Sequence, residues 1–166
     1  MDIFSDVLGM LEETSCDMNH FFYRLGRTPL FTYTTKPEYA SAAEHILPTE
    51  TETSKRSAIS ILATFLETRL RPRLEQEGST NDTERAARSG KWNPKFVLRQ
   101  WVLEEVIRRT ESESGFGVRD KKVLEMVLRM ALEPFSETWG FNTEEEGKFC
   151  GDVPKTDRGF QCSCSS

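Results

Sequence analysis

Residues 91–109, KWNPKFVLRQWVLEEVIRR, place the strongest constraint on what this chain can fold into. Asn93 is a good helix N-cap, because its side-chain oxygen can accept an orphan amide of the first turn. Pro94 then falls at N1, where its missing N–H costs nothing and its fixed φ suits a helix. A helix running from this point carries Phe96, Val97, Leu98, Trp101, Val102, Leu103, Val106 and Ile107. These spread most of the way round the helix, broken mainly by Arg99, Gln100, Glu104 and Glu105. A helix that is apolar on several sides is packed on several sides. The stretch therefore predicts a helix that needs a body around it, one that 166 residues need not supply in full.

The rest of the chain offers room for one ordinary domain with a real core. The hydrophobic fraction is 37% and the mean hydropathy −0.54, which reads as a folded part diluted by polar loops. The net charge of −5 and pI near 5.2 argue against nucleic acid as a partner, since phosphate-backbone binding needs a basic footprint. There is no apolar run of about 18 residues, so no membrane partner is expected. The start, MDIFSDVLGM, lacks the basic flank of a secretory signal and the Arg-rich character of a transit peptide. Any organelle address is therefore expected to lie outside this sequence.

In chain order, Phe4, Val7, Leu8 and Leu11 recur at helical spacing. A second short helix follows, with Asp17 as cap, Met18, Phe21, Phe22 and Leu25 on one face, and Gly26 as the stop. His20 and His45 read as surface or interface histidines with no partner at ligand spacing. Residues 29–53 hold Pro29, Pro37, Pro48 and a Thr-rich run, and read as a loop insertion with at most a turn of helix near 39–45. Residues 54–76 are a strong helix, with Ile59, Leu62, Leu66 and Leu70 at i+3 or i+4 and Pro72 expected to end or kink it. Arg69, Arg71 and Arg73 read as a solvated face beside Glu67, Glu75 and Glu77, or else as a contact for an anion or an acidic partner. A short helical piece is expected near 83–88, and the Asn81-Asp82-Thr83 sequon is set aside for want of a secretory signal. Residues 120–132 read as a helix with Val123, Leu124, Val127, Leu128 and Ala131 inward. From residue 136 the periodicity fails, and Trp139, Phe141, Phe149 and Phe160 suggest an extended tail leaning aromatics on a surface.

The predicted fold class is all-α, with five or six helices, long polar loops and an extended C-terminal tail. A helical segment is expected over 1–135 and a cysteine-containing tail over 136–166. There is no Gly-rich phosphate loop, HExxH, CxxC pair or convincing nucleophile–base pairing, so the residues alone point to no catalytic, metal or cofactor site.

Four segments carry a resemblance: SCDMNHFFYRLG near the start, NPKFVLRQWVLEEVI in the middle, LEPFSE after the last helix, and the terminal CSCSS. Together and in this order they resemble the C-terminal part of the selenoprotein O (SelO/YdiU) family, across nearly the whole chain. The resemblance implies the C-terminal helical part of a protein-kinase-like (pseudokinase) fold. It also implies transfer of AMP from ATP, with Mg or Mn, onto Ser, Thr or Tyr hydroxyls of proteins. The family's glycine loop, phosphate-binding basic residues and metal-binding Asn and Asp have no counterpart in these residues. This segment is thus expected to bind no cofactor itself, to be inactive alone, and to be a fragment whose partners are a missing N-terminal kinase-like core and the protein substrates. A mitochondrial location is implied, with a cytoplasmic one as alternative.

The resemblance also makes the tail a redox candidate. Cys164, followed by Ser165 and Ser166, matches the redox-active position many members carry. Cys162 and Cys164 are near enough for a strained, easily reduced local disulfide, or Cys164 could pair with a cysteine of the missing core. Lys155 and Arg158 give only weak support for a lowered thiol pKa. The spacing of Cys150, Cys162 and Cys164 is not a usual zinc pattern. Two competing functions stand beside the adenylyltransferase segment: a stand-alone helical interaction module with a redox-responsive tail, and a thiol oxidoreductase working through Cys162 and Cys164.

Overall fold

The computed structural model describes residues 3–14, 16–47, 55–110 and 118–154. Among them the regular structure is helical throughout, so the chain is all-α. It divides into two compact units, Met1–Pro94 and Lys95–Ser166.

In the first unit, α1 (Ile3–Thr14), α2 (Met18–Arg27), α3 (Lys36–Ile46), α4 (Lys55–Phe65), α5 (Arg71–Gln76) and α6 (Asp82–Ser89) surround a core centred on Phe21, Leu30, Ala43, Ile46, Leu62 and Leu66. The Asp17 side chain caps α2 by accepting the His20 amide at 3.0 Å, as its position predicts. Gly26 does not stop that helix. The helix runs on to Arg27, and Gly26 instead lies close against α6: a Cβ there would lie 2.0 Å from Ser89 Oγ and 2.8 Å from Ser89 Cβ. Gly26→Ala is therefore expected to destabilise the unit by about 1–3 kcal/mol, the usual cost of overpacking. The cost should shrink when Ser89→Gly makes room, and urea titrations of the single and double variants check this by their non-additivity.

Pro72 does not end its helix either. Between α4 and α5 the backbone widens into a π-turn at Leu66–Leu70, where Arg71 N–H bonds the Leu66 carbonyl. Proline lacks an amide and its ring crowds the carbonyl four residues back, so an added residue in the turn relieves the clash without breaking the rod. Thr64 and Thr68 hydroxyls, each donating at 2.7 Å to the carbonyl four residues back, accompany the distortion.

More helical segments form than the five or six expected, because two arise where the sequence lacked a long periodic run. Helix α3 lies inside the stretch read as a loop. Glu38 reaches back to accept the Thr34 and Thr35 amides at 2.8 Å each, half of a Thr-x-x-Glu capping box, and Pro37 sits in its first turn. Tyr39, Ala42, Ala43 and Ile46 then pin one side to the core.

The second unit holds α7 (Gln100–Thr110), α8 (Val118–Leu132) and α9 (Thr143–Phe149) around Phe96, Val102, Val106, Met126, Met130, Trp139 and Phe149. Helix α9 falls within the stretch read as extended. Asn142 caps it, accepting the Glu144 and Glu145 amides at 2.8 and 3.2 Å, and Trp139 and Phe149 are buried in the core. The central helix starts later than its sequence suggests. Asn93 does not cap it, but donates from Nδ2 to Ser89 Oγ at 2.7 Å. Residues 94–99 are not helical, because the Lys95 and Phe96 amides both turn to the Pro134 carbonyl, at 2.9 and 3.1 Å. That clamp seats Phe96 edge-on to Trp139 with ring centroids 6.3 Å apart.

Candidate functional site

Asp82 and Arg85 on α6 form a largely buried ion pair in the first unit. Asp82 Oδ1 accepts the Leu30 amide at 2.9 Å and Oδ2 accepts the Phe31 amide at 2.8 Å. Arg85, itself buried, donates to Asp82, to the Leu25 carbonyl at 3.0 Å and to the Thr28 carbonyl. One ion pair thus satisfies the open carbonyls at the end of α2 and the amides of the turn that follows. The arginine row of the sequence is a paired, mostly solvated face. Arg69 meets Asp6, Arg73 meets Glu77 at 2.9 Å, and Arg71 meets Glu75 at 3.0 Å while also donating to the Tyr33 carbonyl and the Tyr39 hydroxyl. His20 is buried, not on the surface, because its turn of α2 faces the core. His45 is exposed, with Nδ1 2.7 Å from the Ser41 carbonyl.

Clefts open on this unit among the described residues. Tyr23, Arg24, Arg27, Tyr33 and His45 line one of about 330 Å³. Phe22, Leu70, Leu74, Arg88 and Trp92 line another of about 300 Å³.

In the second unit, the buried carboxylate of Glu146 accepts the Trp139 amide at 3.1 Å and the Phe141 amide at 2.9 Å from one oxygen. Glu105 joins α7 to α9. It accepts from Arg108 at 2.7 Å, Arg109 at 2.9 Å and Lys148 at 3.0 Å. Burial opposes its charge, but the hydrogen bonds from Arg108, Lys148 and Arg109 win and hold its pKa near 2 instead of 4.5. A lowered carboxylate pKa adds stability above the unfolded value, and that stability is lost as pH falls through the folded value. The stability gap between the natural chain and Glu105→Gln should therefore close as pH drops from about 4.5 toward 2. Fluorescence-monitored urea midpoints across that range test it; a gap unchanged at pH 2 would sink the assignment.

Burial pushes the half-buried Cys150 thiol up to about 11, with Lys95 opposing and Glu146 and Glu137 adding to the shift. It is a poor nucleophile at neutral pH. The redox candidates Cys162 and Cys164, like Lys155 and Arg158, lie outside the described residues. Among the described residues no group of three His, Cys, Asp or Glu side chains is placed to hold a metal ion. The ionic clusters that are present fix helix ends and helix contacts. Sequence reading missed the Asp82–Arg85 and Glu146 clusters, because their partners are backbone groups, which leave no side-chain pattern.

The chain is all-α, and the buried charges of Arg85 and Glu146 serve a helix end and a turn. Comparison with known proteins places it in a family. The profile described as "Protein adenylyltransferase SelO" matches residues 1–127, and the chain belongs to the SelO family. It is 32% identical over 167 aligned residues to the mitochondrial protein adenylyltransferase SelO of Schizosaccharomyces pombe, covering 99% of this chain and 28% of that protein. It is 36% identical over 98 residues to the protein nucleotidyltransferase YdiU of Myxococcus xanthus, covering 59% of this chain and 18% of that protein. A Thiobacillus denitrificans YdiU is 32% identical over 93 residues, 56% of this chain and 17% of its own length. The chain thus spans less than a third of these relatives. No solved structure matches it.

Proposed function

We propose that this chain is the C-terminal part of a SelO-type protein adenylyltransferase and that it is inactive alone. The alignment of 99% of the chain to 28% of the yeast SelO carries this reading. ATP and its Mg or Mn ion belong to the remainder of the polypeptide. There AMP passes to a Ser, Thr or Tyr hydroxyl of a protein substrate and pyrophosphate leaves. This segment supplies a helical buttress that holds the kinase-like body in shape. Its tail adds a redox-sensitive element through Cys164 and Cys162. The location is mitochondrial, in line with the mitochondrial SelO of Schizosaccharomyces pombe.

Two measurements test the reading. The intact mass of the native protein should be several times 19.1 kDa, with kinase-like peptides upstream of Met1. The isolated 166-residue chain should transfer no AMP from labelled ATP. Transfer by the isolated chain would refute its inactivity. A native mass of 19.1 kDa would favour a stand-alone helical interaction module instead.

A further inference from the structure

We infer that one face of the α7–α8 hairpin, bearing Leu103, Ile107, Leu124 and Leu128, is the seat of the part of the SelO polypeptide that lies outside this sequence; the inference rests on the fragment reading above. The geometry comes first. The Lys95 and Phe96 amides on the Pro134 carbonyl bring the lead into α7 against the exit of α8, so the two helices run antiparallel. They share one core through Val102 and Val106 on one side and Val123, Val127 and Met130 on the other. Leu103 and Ile107 each stand one residue past the inward valines of α7, and Leu124 and Leu128 one residue past those of α8. One residue is a turn of about 100° in the same sense. On antiparallel helices that face each other, equal turns in the same sense come out on the same side of the pair. Four large aliphatic side chains therefore share one face, and all are about half exposed, from 45% at Leu103 to 57% at Leu128. Leu132, 73% exposed, extends the row by another helical step.

A finished helix surface is polar on its solvent side, and a contiguous aliphatic row marks an interface. Glu104, Arg108, Glu125 and Arg129 lie further round the same two helices and are exposed, so polar residues are available to this hairpin and are absent from the row. The occupant follows from coverage. The family profile runs through residue 127 and so includes Leu103, Ile107 and Leu124. The yeast relative aligns with 99% of this chain yet has most of its own length elsewhere, since the chain covers 28% of it. That remaining polypeptide travels with this segment in the relative and is the body such a face needs.

The test is a photo-crosslinker, benzoylphenylalanine, placed in the native protein in its source cells as Leu128→benzoylphenylalanine, with Leu103 as a second position and Glu125 as the polar control. The expected result is crosslinked peptides at Leu128 and Leu103, and not at Glu125, that belong to SelO-family sequence outside residues 1–166. Peptides from within residues 1–166 (the same chain or a second copy), from an unrelated protein, or none at all would overturn the seat. The intact mass before irradiation reports on the fragment reading separately. A mass well above 19.1 kDa keeps that reading even if the crosslinks overturn the seat. A mass of 19.1 kDa with crosslinks to a separate SelO-family chain removes the single-polypeptide form and keeps the seat.

Discussion

Asp82→Ala is expected to cost the first unit about 3–5 kcal/mol, the usual penalty for stranding one member of a buried ion pair. The carboxylate takes three donors at once: the Leu30 amide at 2.9 Å, the Phe31 amide at 2.8 Å and Arg85 Nε at 3.3 Å. Without it, the buried guanidinium keeps its charge with only the Leu25 and Thr28 carbonyls to face. Two turn amides also lose their acceptor, and an unsatisfied buried donor costs more than a net hydrogen bond gains. Asp82 sits in the first turn of α6, so its removal also takes a negative charge from a helix N-terminus. Asp82→Asn retains one acceptor oxygen and should cost clearly less. A double change, Asp82→Ala with Arg85→Met, should recover part of the loss, since an apolar replacement leaves no stranded charge. Urea denaturation followed by far-UV circular dichroism separates these cases. A loss under about 1 kcal/mol for Asp82→Ala would show that the cluster does not hold the turn after α2.

Phe96→Ala is expected to cost the second unit about 3–5 kcal/mol, the range for truncating a buried aromatic. Phe96 is almost wholly buried and packs edge-on to Trp139, itself a core residue. Its position is fixed through the backbone, by the Lys95 and Phe96 amides on the Pro134 carbonyl. The cavity left by its loss cannot close without releasing that clamp. Phe96→Leu fills much of the space and should cost no more than about 1–2 kcal/mol. Trp101 and Trp139 both belong to the second unit's cluster, whereas Trp92 is 78% exposed, so a shift in the fluorescence unfolding curve reports mainly on this unit. An unchanged midpoint would mean that Phe96 does not sit where the structure has it.

Several elements were legible in the sequence because their signals are local. The leucines of 54–76 recur at helical spacing, and Asp17 sits one turn ahead of its helix's apolar face; both produced the helices they predict. The helices α3 and α9 lacked a strong periodic run, yet their caps were present as Thr35-x-x-Glu38 and Asn142-x-Glu144. Capping chemistry was the signal that could have found them. The cysteine tail is legible only as a resemblance, since Cys162 and Cys164 fall outside the described residues.

Sequence alone determined the all-α class, the helical periods and the family. Each rests on residues within a few positions of one another, or on order along the chain. Tertiary structure decided what neighbours along the chain cannot encode. The Asn93-Pro94 pair is a sound helix start, but the Pro134 carbonyl, distant in sequence, captures the next two amides and moves the start to Gln100. Gly26 reads as a stop, but the approach of Ser89 makes it a contact. Leu124 and Leu128 carry the same apolar signal as Val123 and Val127, yet only the valines are buried. Periodicity says that a side chain is apolar; which apolar side is covered depends on what packs against it.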